Sequence, residues 1–258
     1  MDYKAIELSL TDGVAVITLN RPESKNALNT QMRSEITHAL KAMAKQARCI
    51  VLTGAGGCFC SGQDLTDAES FGALDLESTL RDEYEPMLHA LVNSPVPTIA
   101  AVHGPAAGAG ANLALGADVV IASESSVFLQ AFTRIGLIPD AGGTYWLPRQ
   151  MGLAKAMGAA LFAEPLTAKQ ASDWGMIWEA VPDDAFDAHW RKRAQTLASG
   201  PTTAYAGVKR ALREGYENNL AQQLELEAEI QGEMGRTRDF REGVLAFLQK
   251  RPANYEGR

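Results

Sequence analysis

The chain has 258 residues, 46% of them hydrophobic and 21% charged, which suits a soluble globular protein built as one large domain or one domain with an extension. Its net charge of −7 argues against nonspecific nucleic-acid binding, and no apolar run reaches the roughly 18 residues of a membrane span. The acidic, alternating amino terminus does not read as a signal peptide, and the three clustered cysteines (Cys49, Cys58, Cys60) suggest neither a disulfide framework nor a zinc site, so free thiols and a cytoplasmic location are expected. In chain order, "AIELSL" and "VAVITL" predict two strands joined at Asp12-Gly13. A polar loop, "NRPESKNALN", precedes a helix predicted over 30–47, capped by Asn29 or Thr30. "CIVLTG" reads as a buried strand, and an acidic stretch from Thr66 to about Glu85 as a mobile loop passing into a helix that ends near Asn93. "PTIAAVHG" and "ADVVIAS" are further buried strands, separated by a short helix of small residues over 107–116. After Pro148 the pattern is helical to the end. Alternating β and α patterns favour an α/β layout with parallel pairing, divided into a core over 1–200 and a helical region over 201–258.

Two glycine-rich turns follow predicted strands: "GGCFCSGQDL" at Gly56–Leu65 and "GPAAGAGANLALGAD" at Gly104–Asp118. Taken singly, such glycines only permit tight packing. Facing each other, two such turns could offer two backbone N–H groups to one oxygen, as in an oxyanion hole. Neither turn fits a dinucleotide fingerprint, a phosphate loop or a nucleophile elbow. Of the four histidines only His103 falls near a turn, and with no evident Ser or Cys partner it reads as structural. "RIGLIPDAGGTYWLPR", Arg134 to Arg149, carries a single carboxylate, Asp140. On these residues alone it is either a helix cap or a group that moves protons.

The blocks "ITLNRPESKNALN", "VLTGAGGCFCSGQDL", "PTIAAVHGPAAGAGANLALGADVVIASE" and "GLIPDAGGTYWLPR", in that order, resemble the enoyl-CoA hydratase/isomerase (crotonase) family over nearly the whole chain. The resemblance implies a spiral of ββα units followed by a helical trimerisation region. It implies an acyl-CoA thioester as substrate, assembly as a homotrimer or a hexamer of two trimers, and no metal or other cofactor. It places the oxyanion hole on the backbone N–H groups of Ser61 and Ala109. Around them it places Gly62, Gln63, Asp64, Leu65, Gly108 and Ala27 along the CoA arm and thioester, with Arg21, Lys25 and, from the carboxy-terminal helix, Lys250 at the CoA phosphates and adenine.

The departures from the family pattern carry as much as the match. Where the family's hydratases hold two glutamates that activate and protonate water, this chain has Asn112 and Phe132, both expected to line the substrate. Asp140 stands where the family's double-bond isomerases hold an acid. "GLIPDAGGT", "GAGANLALG" and "WGMIWEAV" resemble the branch that converts the ring-1,2-epoxide of phenylacetyl-CoA to oxepin-CoA. One base returning a proton to a second carbon also suffices to move a 3,4 double bond to the 2,3 position, with Phe132, Ile138 and Trp146 expected to exclude water. The alternatives are a hydratase with an unusual base and a noncatalytic acyl-CoA binding protein.

Overall fold

The computed structural model describes residues 2–66 and 75–257. Nine strands are present among them: β1 (Ile6–Thr11), β2 (Val14–Leu19), β3 (Cys49–Gly54), β4 (Thr98–Val102), β5 (Pro105–Ala107), β6 (Val119–Ser123), β7 (Val127–Leu129), β8 (Leu166–Thr167) and β9 (Glu179–Val181). β1 and β2 form the expected hairpin, and Asp12 and Gly13 both take the positive φ that a two-residue primed turn needs (49° and 79°). The other strands of the larger sheet join in parallel, in the order β1-β2-β3-β4-β6-β9. A smaller sheet runs β5-β7-β8.

The helices are α1 (Thr30–Met43), α2 (Leu76–Thr79), α3 (Glu85–Val92), α4 (Ala109–Leu115), α5 (Gly143–Met151), α6 (Leu153–Phe162), α7 (Ala168–Asp173), α8 (Asp183–Ala198), α9 (Thr202–Glu214), α10 (Leu220–Met234) and α11 (Arg238–Gln249). A π turn, Leu80–Tyr84, joins α2 to α3. The repeating unit is a strand in each sheet followed by a helix: β4-β5-α4, then β6-β7 and the helices after it. Cys60 bridges Ala106 of β5, so the turn after β3 occupies the same place in its own unit.

Asn29 caps α1 by accepting from the Met32 N–H, but the helix stops at Met43, short of the predicted residue 47. The small-residue helix starts at Ala109, because Ala107 belongs to β5. Of the acidic stretch expected to be a loop, 67–74 lie outside the described residues, and the helical path already begins at Leu76.

Alternation along the central strands divides the core in two. Ile50, Leu52, Ala100 and Val102 pack with Met32, Ile36 and Leu40 of α1, Met87 and Leu91 of α3, and Leu113 of α4. The opposite face, with Cys49, Val51, Ile99, Ala101 and Ile121, packs on Phe186, Trp190, Ala194 and Ala198 of α8. From α9, Lys209 and Arg213 reach Asp118 at 2.8 and 2.7 Å, and Arg48 donates to the carbonyls of Gly200 and Tyr255. Among the described residues no helix is long and apolar enough to cross a membrane.

Candidate active site

Parallel strands deliver their following loops to one edge of the sheet, and these loops interlock there. Leu28 N–H donates to the Gly62 carbonyl (2.8 Å) and Asp64 N–H to that of Leu28 (3.1 Å), joining the loop after β2 to the turn after β3. Ala107 N–H donates to the Cys60 carbonyl (2.9 Å), joining that turn to β5, and Gly108 N–H to the Leu129 carbonyl (2.8 Å), joining the start of α4 to β7.

Gly62, at φ 99°, is where the two glycine-rich turns meet. A Cβ built there lies 2.8 Å from the Ala107 carbonyl oxygen and 3.4 Å from the Ala109 nitrogen. Ala109 opens α4, so its N–H has no partner within the helix, and neither it nor the Gln63 N–H finds an acceptor among the described residues. Ser61 does not fit the role expected of it. Its N–H donates to the Lys25 carbonyl at 3.0 Å, so the open donor of this turn is two residues later, at Gln63.

Asp140 sits in the connection between the 3-10 turn Ala131–Ile135 and α5. The N-cap of α5 is Gly142 and no side chain caps it, which removes the helix-cap reading. The carboxyl oxygen Oδ1 is buried with no hydrogen-bond partner. Burial pushes the Asp140 carboxyl up to about 6, opposed in part by its own backbone N–H. It lines a cavity of about 380 Å³ whose other walls include Leu76, Leu80, Tyr84, Leu88 and Leu137.

Phe132 is buried, with its ring edge 3.7 Å from where a Cβ of Gly108 would stand, so it closes the site beside the α4 amino terminus. Ile138 borders the cavity but is 76% exposed and excludes little water in a single copy. Trp146 stands behind the turn against Gly142 rather than in the cavity, its Nε1 buried and unpartnered.

Comparison with known proteins places this geometry. The Enoyl-CoA hydratase/isomerase family profile matches residues 9–258. The chain belongs to the enoyl-CoA hydratase/isomerase family. It is 60% identical over 258 residues, all of both chains, to a Rhodobacter capsulatus protein named "Probable enoyl-CoA hydratase". It is 45% identical to the 1,2-epoxyphenylacetyl-CoA isomerase of Escherichia coli K12, over 95% of this chain and 96% of that one. The crystal structure of an enoyl-CoA hydratase from Polaromonas sp. JS666 superposes with a TM-score of 0.93 at 30% identity, covering 98% of this chain and 100% of that one. The protein is thus a crotonase-fold enzyme acting on an acyl-CoA thioester.

Within that frame several expected contacts change character. Asn112 is fully buried and has no free end for substrate. Its Nδ2 donates to the Asp140 carbonyl at 2.8 Å, and its Oδ1 accepts from Gln130 Nε2 at 2.9 Å. The Gln63 side chain turns inward, accepting from Tyr84 Oη (2.6 Å) and Arg33 Nη1 (2.9 Å), which leaves only its main chain for the thioester. Arg21 Nη1 is committed to the Ala27 carbonyl (2.7 Å) and Asp64 (2.8 Å). Burial pushes the Asp64 carboxyl up, but hydrogen bonds from Thr66 and Arg21 outweigh it and hold the group below its usual range. Arg21 and Asp64 therefore brace the loop, and Ala27 is buried beneath them.

Lys25 and Leu65 are exposed at the rim, and Lys25 makes no ion pair among the described residues. Lys250 is the exposed C-cap residue of α11. His103 bonds the Gly56 carbonyl at 2.8 Å and lies beside Phe186, a structural role as expected. Sequence reasoning missed Tyr84, an aromatic inside an acidic helical stretch, and Gln130, whose partner is distant in sequence. No group of side chains able to hold a metal occurs among the described residues.

Proposed function

We propose that the protein is an enoyl-CoA isomerase that works with one carboxylate, Asp140, and two backbone donors, Gln63 and Ala109. The observation that carries this reading is the unpartnered, buried Asp140 Oδ1 in an apolar cavity, while Asn112 and Phe132 hold no exchangeable carboxyl. The Asp140 carboxylate takes a proton from C2 of a 3-enoyl-CoA, and the electron pair spreads into a dienolate. The two N–H groups stabilise its oxygen. Asp140 then returns the proton to C4, the 2,3 double bond forms, and the carboxylate is regenerated. The shift is redox-neutral and uses no cofactor beyond the CoA of the substrate.

Phenylacetyl-CoA ring-epoxide is the second substrate class, supported by the likeness to the Escherichia coli isomerase. We assign Lys25 and Lys250 to the CoA phosphates. The exposed apolar side chains of α9 to α11, Leu212, Leu220, Leu224, Phe247 and Leu248 among them, support assembly as a trimer or a hexamer of two trimers. The name of the Rhodobacter relative favours a second reading, hydration. Crotonyl-CoA and 3-hexenoyl-CoA offered side by side separate the two. Isomerisation should exceed hydration by at least about 10²-fold, the usual worth of a missing general acid or base. Hydration at a comparable rate favours the second reading, and turnover of neither alongside tight acyl-CoA binding shows a noncatalytic binder.

A further inference from the structure

We propose that Asn112 is a positioning residue for the base: its amide clamps the Asp140 peptide, and Gln130 clamps Asn112 in turn. The inference rests on the reading of Asp140 as the proton carrier.

The turn after Asp140 needs an anchor. Ala141 has φ 47° and Gly142 φ 83°, two left-handed residues in succession, the first of them with a Cβ that disfavours this region. The Asp140 carbonyl just before them accepts from Gly143 N–H (2.8 Å) and from Asn112 Nδ2 (2.8 Å). Both bonds act on the peptide that follows the Asp140 Cα, and so on the direction of its side chain. The approach leaves no slack. A Cβ on Gly143 would stand 2.4 Å from Asn112 Nδ2 and 2.8 Å from its Cγ, so a side chain at 143 would displace the amide.

The other half of the amide is held by Gln130, which is 3% exposed and whose Oε1 is buried without a partner. Gln130 thus leaves one of its own buried polar atoms unsatisfied while satisfying Asn112 Oδ1, so its bond to Asn112 is what a polar side chain supplies at this position. Asn112 lies one helical turn after Ala109 on α4. One short helix therefore carries both a donor to the enolate oxygen and the anchor of the base. The separation between these two groups is fixed by one rigid element, and a displacement near 1 Å in such a constellation costs about 10² in rate.

The test is turnover of 3-hexenoyl-CoA by Asn112→Ala, Gln130→Met and the double variant, with Asp140→Asn run in parallel. Asn112→Ala should lower kcat by roughly 10- to 10²-fold with KM changed by less than about threefold, because the groups that bind the thioester stay in place. Gln130→Met keeps the volume and should lower kcat by about 3- to 10-fold. In the Asn112→Ala background Gln130→Met should add nothing, since Gln130 acts through Asn112. A stability role alone lowers Tm without this pattern. Unchanged kcat in Asn112→Ala, or multiplying effects in the double variant, overturns the proposal. If Asn112→Ala does not fold, Gln130→Met decides, and a wild-type kcat there overturns it. A fully active Asp140→Asn removes the underlying reading instead, whereas an inactive Asp140→Asn beside an unimpaired Asn112→Ala defeats only the clamp.

Discussion

At the scale of one residue, the burial of the Asp140 carboxyl costs stability and, on the proposed mechanism, makes it a stronger base. Its carboxyl is at about 6 in the folded chain against 3.8 for an unperturbed aspartate. Between those values the folded state holds the proton more tightly, so stability falls as pH rises through this window, and the whole penalty persists above it. Asp140→Asn removes the charge that burial disfavours and breaks no cap, because the side chain caps nothing. The variant should therefore unfold at a higher temperature than wild type at pH 7.5, by an amount equivalent to about 1–3 kcal/mol after allowance for partial exposure. A cap would have shown no such gain, because Asn caps a helix about as well as Asp. The same variant should isomerise 3-hexenoyl-CoA about 10² to 10⁴-fold more slowly. In the wild type kcat/KM should rise with pH through about 6 and then level off, since only the carboxylate of the free enzyme takes a proton. A flat profile, or a less stable Asp140→Asn, contradicts this account of the residue.

Among the elements, the meeting of two turns at Gly62 sets the spacing of the Gln63 and Ala109 donors. Gly62→Ala places a Cβ 2.8 Å from the Ala107 carbonyl oxygen at a φ of 99° that side chains rarely adopt. The turns must move apart, at a cost of about 1–3 kcal/mol, and kcat/KM should fall by at least about tenfold. Thermal unfolding and steady-state kinetics on the same sample read both effects, and retention of full kcat/KM would show that the spacing is not critical. Sequence patterning located these elements unevenly. The β1–β2 hairpin, the Asn29 cap and the buried run of β3 were legible because alternation, turn residues and capping are local signals. β5, β7 and β8 were not, since strands of two or three residues leave no period to read. The glycine-rich turns are legible in the sequence, but the resemblance places the open donor at Ser61, whose N–H is bonded to the Lys25 carbonyl, and the open one is at Gln63. Ser61 and Gln63 flank Gly62, whose φ of 99° turns the chain between them, and which N–H is left open follows from that bend rather than from any local sequence pattern. Asp140 stands out in the sequence by subtraction, and the structure places it in a cavity with an unpartnered oxygen. The clamp by Asn112 does not stand out there, because a side-chain bond to a carbonyl 28 residues away has no local signature.

For the molecule as a whole, the helical region over 201–258 is bound to the core by charge as well as by apolar packing. Asp118 accepts from Thr98, Lys209 and Arg213, and Arg213 also donates to the Val92 carbonyl. Cutting the chain before Thr202 removes both cations from a largely buried carboxylate, a loss of the kind that costs about 3–5 kcal/mol. The truncated chain should fail to fold cooperatively by circular dichroism, rather than survive as a soluble monomer. A folded, monomeric product in sedimentation would instead show that this region serves assembly alone.

The burial of all three unpaired cysteines supplies a clock. Desolvation pushes the Cys49 and Cys60 thiols up to about 12, so a disulfide reagent meets almost no thiolate until the structure opens. Labelling rates therefore count opening events. Cys58 and Cys60 lie in the turn that would grip a thioester, whereas Cys49 starts β3 at the other end of that strand. A bound acyl-CoA should slow modification at 58 and 60 several-fold more than at 49, as peptide mass spectrometry of the labelled chain can resolve. Equal protection at the three positions would mean that the strand and its turn open only together.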